Sequence, residues 1–251
     1  MKPLKVRLNN MPHCPNLPTK RIRKCLIGNC YTEEIQELTG LGIECIPLNK
    51  SIFLDEEISC HADILAFNNG NGCLFVNLGS IGERYIHKID KEIIFIEKIK
   101  SPYPNDVALN IAYIGDSLVC NKNYANAEIL TFAAENHLKI IHSNQGYAKC
   151  NLCIVSDNAV ITEDSGLAYL LKNCQFDVLK IEPGFVHLSE QHYGFIGGAS
   201  AKFSETELYF SGAISKHPDY NRIVDFLNKY GVKPIFNPNR VLRDFGGIIA
   251  L

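Results

Sequence analysis

A strand–helix–strand unit recurs along this chain, and each end of the chain lacks the part that the other end carries. Over 117–141 an apolar strand (117–120) is followed by a helix over 125–136 and a second strand over 138–141. The same order returns over 159–181 and 207–236, with helices over 164–173 and 219–230. Apolar positions in these helices fall three or four apart, as with Ile223, Phe226, Leu227 and Tyr230, so one face of each helix covers a small sheet. Further extended segments stand at 63–67, 106–113, 151–155 and 195–203. The first belongs to the stretch 60–77, two apolar strands joined by a turn containing Asn69, Gly70, Asn71 and Gly72, residues that supply the positive φ values of tight hairpins. A weaker copy follows, with a short helix over 81–88 before a strand over 92–96.

Counting gives four complete sets and two fragments. The C-terminal 244–251 is an entering strand with nothing after it. The N-terminal 24–46 has a strand, a helix opened by Thr32 with Glu33 and Glu34, and a second strand stopped by Pro47, but no entering strand. Joined, the fragments make a fifth unit. The expected fold is therefore α/β: a five-bladed α/β propeller of ββαβ units, closed by the N- and C-terminal segments, which removes an exposed sheet edge. Residues 1–251 form one domain on this reading, with 1–20, carrying Pro12, Pro15 and Pro18, as an irregular arm. The alternative, two open α/β domains broken near 101–104, leaves the C-terminal strand unpaired.

Composition excludes several functions. A net charge of -2 argues against a nucleic-acid partner, which needs a basic stripe. No apolar run approaches the roughly 20 residues that span a bilayer, and the first residues lack the apolar core of a secretion signal. A cytoplasmic location and no membrane partner are expected. The ten cysteines are scattered, and most lie in apolar runs: Cys25, Cys45, Cys73, Cys120 and Cys174 read as small buried hydrophobes. Cys150 and Cys153 form a C-x-x-C pair; a zinc knuckle needs a second such pair, and a redox pair needs a helix N-terminus where a strand is expected here. No cofactor and no metal are expected.

The motif His61-Ala62-Asp63, with Gly72, Leu74 and Asn77 after it, is similar to the His-x-Asp strand and Gly-x-x-x-x-Asn stretch of the guanidine-group-modifying enzymes, the penteins. Gly246-Gly247-Ile248-Ile249-Ala250 resembles their C-terminal Gly-Gly-x-x-Cys, and Gly197-Gly198-Ala199-Ser200 resembles their Glu-Gly-Gly-Asp turn. Arginine and agmatine deiminases, dimethylarginine hydrolase and the amidinotransferases belong to that superfamily, and the likeness is to an uncharacterised bacterial branch of it. The resemblance implies covalent catalysis in a central channel: a Cys attacks an amidine carbon, a His transfers protons, and acids hold the cation. The chain departs from the pattern at three places. Ala250 stands where the nucleophile belongs, Ile196 where an acid precedes the double glycine, and Ser200 where an Asp follows it.

Covalent catalysis would then need another cysteine; Cys150 can also be a structural cysteine on a strand. Cys150 enters a blade at a place comparable to His61, and the neighbouring Lys149 favours a thiolate. Cys60 adjoins His61, but neighbours on a strand point to opposite faces. The expected catalytic residues are His61, Cys150 and Asp106; Asp63, Asn110 and Ser200 are expected to bind substrate. Asp63 and Asp106 open equivalent strands, and two acids on one channel suit a cationic small-molecule ligand. Asn68, Asn69 and Asn71 are turn residues. His187 and His192 fit no metal spacing. The function expected is a hydrolase or transferase acting on a small guanidino or amidino C–N substrate. The alternative is a catalytically silent protein of the same fold that binds a small ligand or a protein partner.

Overall fold

The computed structural model describes residues 12–97, 99–189 and 192–251. Strand β1 (Lys24–Gly28), helix α1 (Thr32–Gly40) and strand β2 (Glu44–Leu48) come first, β1 and β2 pairing in parallel. Pro47 does not stop β2, as the sequence led us to expect. It pairs opposite Ile27 on an edge strand, where its missing N–H faces no neighbour. Thr32 is likewise the first residue of α1 and not its cap, which is Tyr31.

The second set is a single helical turn α2 (Ala62–Leu65), the hairpin β3 (Ala66–Asn68) and β4 (Cys73–Asn77), the short α3 (Glu83–Ile86) and β5 (Glu92–Ile96). The hairpin turn is built as the asparagines imply: Asn69 Oδ1 accepts from the N–H groups of Asn71 and Cys73, and Asn68 Oδ1 from that of Gly70. The third set is β6 (Ala112–Ile114), β7 (Ser117–Cys120), α4 (Ala127–Glu135) and β8 (Lys139–His142). The fourth is α5 (Ala148–Asn151), β9 (Cys153–Ser156), β10 (Ala159–Thr162), α6 (Ser165–Asn173) and β11 (Asp177–Lys180). The fifth is β12 (Ser200–Ser204), β13 (Glu207–Phe210), α7 (Tyr220–Lys229) and β14 (Lys233–Ile235).

The last strand, β15 (Ile249–Ala250), returns to the first sheet and pairs antiparallel with β1, Ala250 opposite Cys25 and Ile249 opposite Leu26. It is shorter than the eight-residue strand expected over 244–251. The fold is thus mixed α/β with five three-stranded sheets. In each, the middle strand pairs antiparallel to one neighbour and parallel to the other, and a helix makes the crossover that a parallel pair needs.

Burial explains the patterning. Strands β7 and β10 are buried along their whole length, covered on both faces, and so read as continuous apolar runs. Helices α4, α6 and α7 bury Ile129 and Ala133, Leu167 and Leu171, and Ile223 and Leu227, at the helical spacing. Asn126 caps α4 through the N–H groups of Glu128 and Ile129, and Asp164 caps α6 through that of Leu167, which satisfies otherwise free donors. The last and first sets are tied by Arg240, whose guanidinium meets Glu34 and Glu37 on α1. No described helix is long and apolar enough to cross a membrane.

Of the arm, residues 12–20 contain no helix or strand, and the part before Pro12 lies outside the described residues. Cys14 Sγ and Asn16 Nδ2 each donate to Tyr113 O at 3.1 Å, and Tyr113 Oη donates to Pro12 O at 3.3 Å. Of the cysteines read as small buried hydrophobes, Cys25 and Cys120 are buried, Cys45 and Cys73 are half-buried, and Cys174 is exposed, against that reading. Cys30 and Cys60, outside that reading, form a disulfide.

Candidate active site

His61 and Asp63 do not start a strand. His61 is the residue before α2 and Asp63 lies in its single turn. Cys150 occupies the equivalent turn α5, ahead of β9. Two units therefore enter their sheets through one helical turn each, and those turns converge. A nitrogen of His61, a carboxylate oxygen of Asp63 and Cys150 Sγ all lie within 4.8 Å of one another. All three residues are buried, at 1%, 1% and 2% exposure.

Asn110, between the second and third sheets, locks the two turns together. Its Nδ2 donates to Cys150 Sγ at 3.0 Å and to the backbone oxygen of Asp63 at 3.1 Å. Its Oδ1 accepts from the backbone N–H groups of Lys149 and Cys150 at 2.8 and 3.3 Å. By contrast, both ring nitrogens of His61 and both carboxylate oxygens of Asp63 have no hydrogen-bond partner among the described residues. Buried polar atoms are rarely left so, and four on adjacent side chains mark a place prepared for something polar.

Burial sets the electrostatics. It raises the Asp63 carboxyl to about 6, while His61 and Lys149 pull it back and Asp244 adds to the rise. It also pushes the Cys150 thiol well above its ordinary value, with Asp63 and Asp244 acting the same way and Asn110 opposing them. Lys149 does not offset this, although its place in the sequence suggested that it would. The resting Cys150 side chain is therefore a neutral thiol, whose ionisation needs a base.

Asp106 stands outside the trio. It is fully buried, and its Oδ2 accepts the Tyr147 hydroxyl at 2.6 Å. Ser200 opens β12, its hydroxyl directed at Gly197 O at 3.4 Å, and borders a small cavity with Lys149 and Ala250. The oxygen of Ala250 accepts from Asn68 Nδ2 at 2.7 Å. His192 Nδ1 faces Glu57 Oε1 at 3.1 Å on the exposed surface. Cys60, held by its disulfide to Cys30, anchors the segment just before His61, and the Tyr31 ring leans on the imidazole with centroids 6.1 Å apart. Nitrogen, oxygen and sulfur donors at the trio's spacing are also the one group among the described residues able to hold a metal ion.

Two acids escaped the sequence reading. Asp244 Oδ1 lies 3.8 Å from His61 Nδ1 and accepts from Gly246 N, while Oδ2 accepts from Phe195 N. Glu163 Oε2 accepts from Ile196 N at 3.0 Å. Two acids from elsewhere in the chain thus hold the backbone just before Gly197-Gly198. A β-carbon on Gly198 would fall 2.0 Å from Asp244 Oδ1, and one on Gly246 (φ +69°) would fall 2.4 Å from His61 Cα, so glycine is required at both. The one available signal for Asp244 was an acid two residues before a double glycine.

The model of a family described as a family of unknown function, DUF6873, matches residues 26–249. No protein of curated function matches the chain. Among solved structures, Campylobacter jejuni agmatine deiminase superposes with a TM-score of 0.57 at 13% identity, covering 94% of this chain and 93% of its own. Inosamine-phosphate amidinotransferase from Streptomyces griseus gives 0.55 at 10% identity, with 94% and 93% covered. Dimethylarginine dimethylaminohydrolase from Pseudomonas aeruginosa, in complex with citrulline, gives 0.53 at 11% identity, with 91% and 97% covered. At these identities the likeness is one of fold, the pentein fold.

Proposed function

The chain belongs to the DUF6873 family, and from that premise we propose a hydrolase or transferase that acts on a small guanidino or amidino C–N substrate. In this reading the five sheets close into a propeller, and Cys150, His61 and Asp63 face its central channel. The observation that carries the proposal is the convergence of three buried reactive groups with the polar atoms of two of them unpartnered.

The steps follow from the geometry. A cationic amidinium takes its place against Asp63 and Asp244, offsetting the cost of burying their charge. Cys150 gives its thiol proton to His61, and Sγ forms a bond to the amidine carbon. His61 then returns the proton to the departing nitrogen as the C–N bond breaks, releasing ammonia or an amine. Water, or an acceptor amine in a transferase, adds to the thioester-like carbon, and the C–S bond breaks to restore the thiol. Asp244, 3.8 Å from Nδ1, stabilises the imidazolium once it has gained the proton, and Asn110 steadies sulfur as it gains charge. Ala250 removes the nucleophile from its usual place, and Cys150 takes that role from another unit. Because the trio is at most 2% exposed, entry of substrate requires its cover to move.

The test is a panel of guanidino and amidino compounds, with released ammonia or amine measured and acid-quenched protein weighed by mass spectrometry. The reading expects turnover of at least one compound and an adduct on Cys150 that Cys150→Ala abolishes. Ligand binding without release or adduct across the panel contradicts it and favours the silent alternative.

A further inference from the structure

Beside the trio, on the side closed by the N-terminal arm, lie two small cavities that share Pro15, Asn16, Lys149 and Ala250. One is bordered by Asp63 and Asn68, the other by Ser200 and Lys202. Lys149 therefore stands between the acidic side and a cavity with a second lysine. Lys149 and Lys202 are only 7% and 8% exposed. Lys202 Nζ donates to Val155 O at 2.7 Å, while Lys149 Nζ has no hydrogen-bond acceptor or ion-pair partner among the described residues.

Two largely buried lysines on one cavity, one with a single carbonyl acceptor and the other with none among the described residues, are costly unless something carries opposite charge to them. The protein does not provide it within contact. Cys153 interacts with both lysines, but burial lifts its thiol to about 11, so it stays neutral. Asp63 and Glu205 attract Lys149 and Lys202 without forming an ion pair with either. Burial instead lowers Lys202 to about 8, the response of an amine lacking a counter-charge. Ser200 adds a hydroxyl on the same strand face as Lys202, two residues away. Ala250, with only a methyl side chain, borders both cavities.

We propose that Lys149, Lys202 and Ser200 form a binding subsite for a carboxylate-sized oxyanion, in the cavity bordered by Ala250. The oxyanion is either a free ion or the carboxylate of a substrate whose cationic end faces Asp63. The subsite does not depend on covalent chemistry at Cys150.

The test is calorimetric titration of sodium formate into the full-length protein in low-salt buffer, repeated with Lys202→Met and Lys149→Met. A saturable one-to-one heat in the parent protein is expected, weakened about tenfold or more in each variant, as for loss of a charge-assisted hydrogen bond. Absence of saturable binding in the parent overturns the proposal whether or not the variants fold, and so does equal binding in folded variants. A second arm measures chloroacetamidine labelling of Cys150 with and without formate. Slower labelling identifies the subsite with a substrate's own carboxylate; unchanged labelling identifies a separate site for a free oxyanion, and either result supports the subsite. Failure of labelling with formate binding intact counts against the covalent reading alone.

Discussion

Asn110 grips Cys150 at two points, donating its side-chain amide to Sγ at 3.0 Å and accepting the backbone N–H of the same residue at 3.3 Å. The same side chain holds the backbone of Asp63 at 3.1 Å. One buried amide therefore sets the distance between the proposed nucleophile and the proposed cation-binding acid.

Replacing Asn110 by Ala leaves the N–H groups of Lys149 and Cys150 buried without acceptors, which costs about 2–4 kcal/mol of stability. It also removes a side-chain hydrogen bond that eases ionisation of the thiol. Alkylation of Cys150 followed against pH should move to higher pH in Asn110→Ala, and urea unfolding should show the loss of stability. An unchanged alkylation profile would remove Asn110 from any role in preparing the sulfur.

Burial raises the Glu163 carboxyl to about 8 from an ordinary value of 4.5. The unfolded chain gives up that proton at lower pH than the folded one. Stability from this residue is therefore complete below 4.5 and is lost as pH rises through 8. Glu163→Gln keeps an oxygen for Ile196 N and has nothing to ionise. It should match the parent at pH 4 and exceed it at pH 9 by about 3–5 kcal/mol. Denaturant midpoints at the two pH values measure the difference.

How much of this was legible beforehand depended on scale. Helices α4, α6 and α7 span nine or ten residues, enough to show a 3.6-residue period, and their positions emerge from it. The turns α2 and α5 have four residues each, too few for any period, so His61, Asp63 and Cys150 were expected on strands. Their convergence could be anticipated only by comparing where equivalent units begin. Asp244 and Glu163 were missed for another reason: each acts through a tertiary contact with 195–196, which Glu163's neighbours in sequence do not mark and which the double glycine after Asp244 only hints at. Lys149 misled because adjacency in sequence suggested help for the thiol, whereas burial dominates its electrostatics.

Arg240 is 16% exposed at its side chain and meets Glu34, which is 1% exposed, and Glu37. Arg240→Ala strands a buried carboxylate and should cost about 3–5 kcal/mol. The exposed pair Lys50–Glu56 should cost under about 1 kcal/mol when broken by Lys50→Ala. Equal losses from the two variants, measured by urea unfolding, would contradict the role given to Arg240 in joining the last unit to the first.

The Cys30–Cys60 disulfide closes a loop of sequence separation 30 beside His61. Cys30→Ser should lower stability by about 2–4 kcal/mol, and dithiothreitol should bring the parent protein to the same level without affecting the variant.

The central claim is that Cys150 is the nucleophile of a site built for amidinium groups, and chloroacetamidine with peptide mapping tests it most directly. Cys174 is exposed and free while Cys150 is buried and free, so simple accessibility favours Cys174. The account predicts the reverse for this reagent: one equivalent on Cys150, slowed about a hundredfold or more in His61→Ala, with neutral iodoacetamide preferring Cys174. Label on Cys174 with Cys150 unmodified in the folded protein would contradict it.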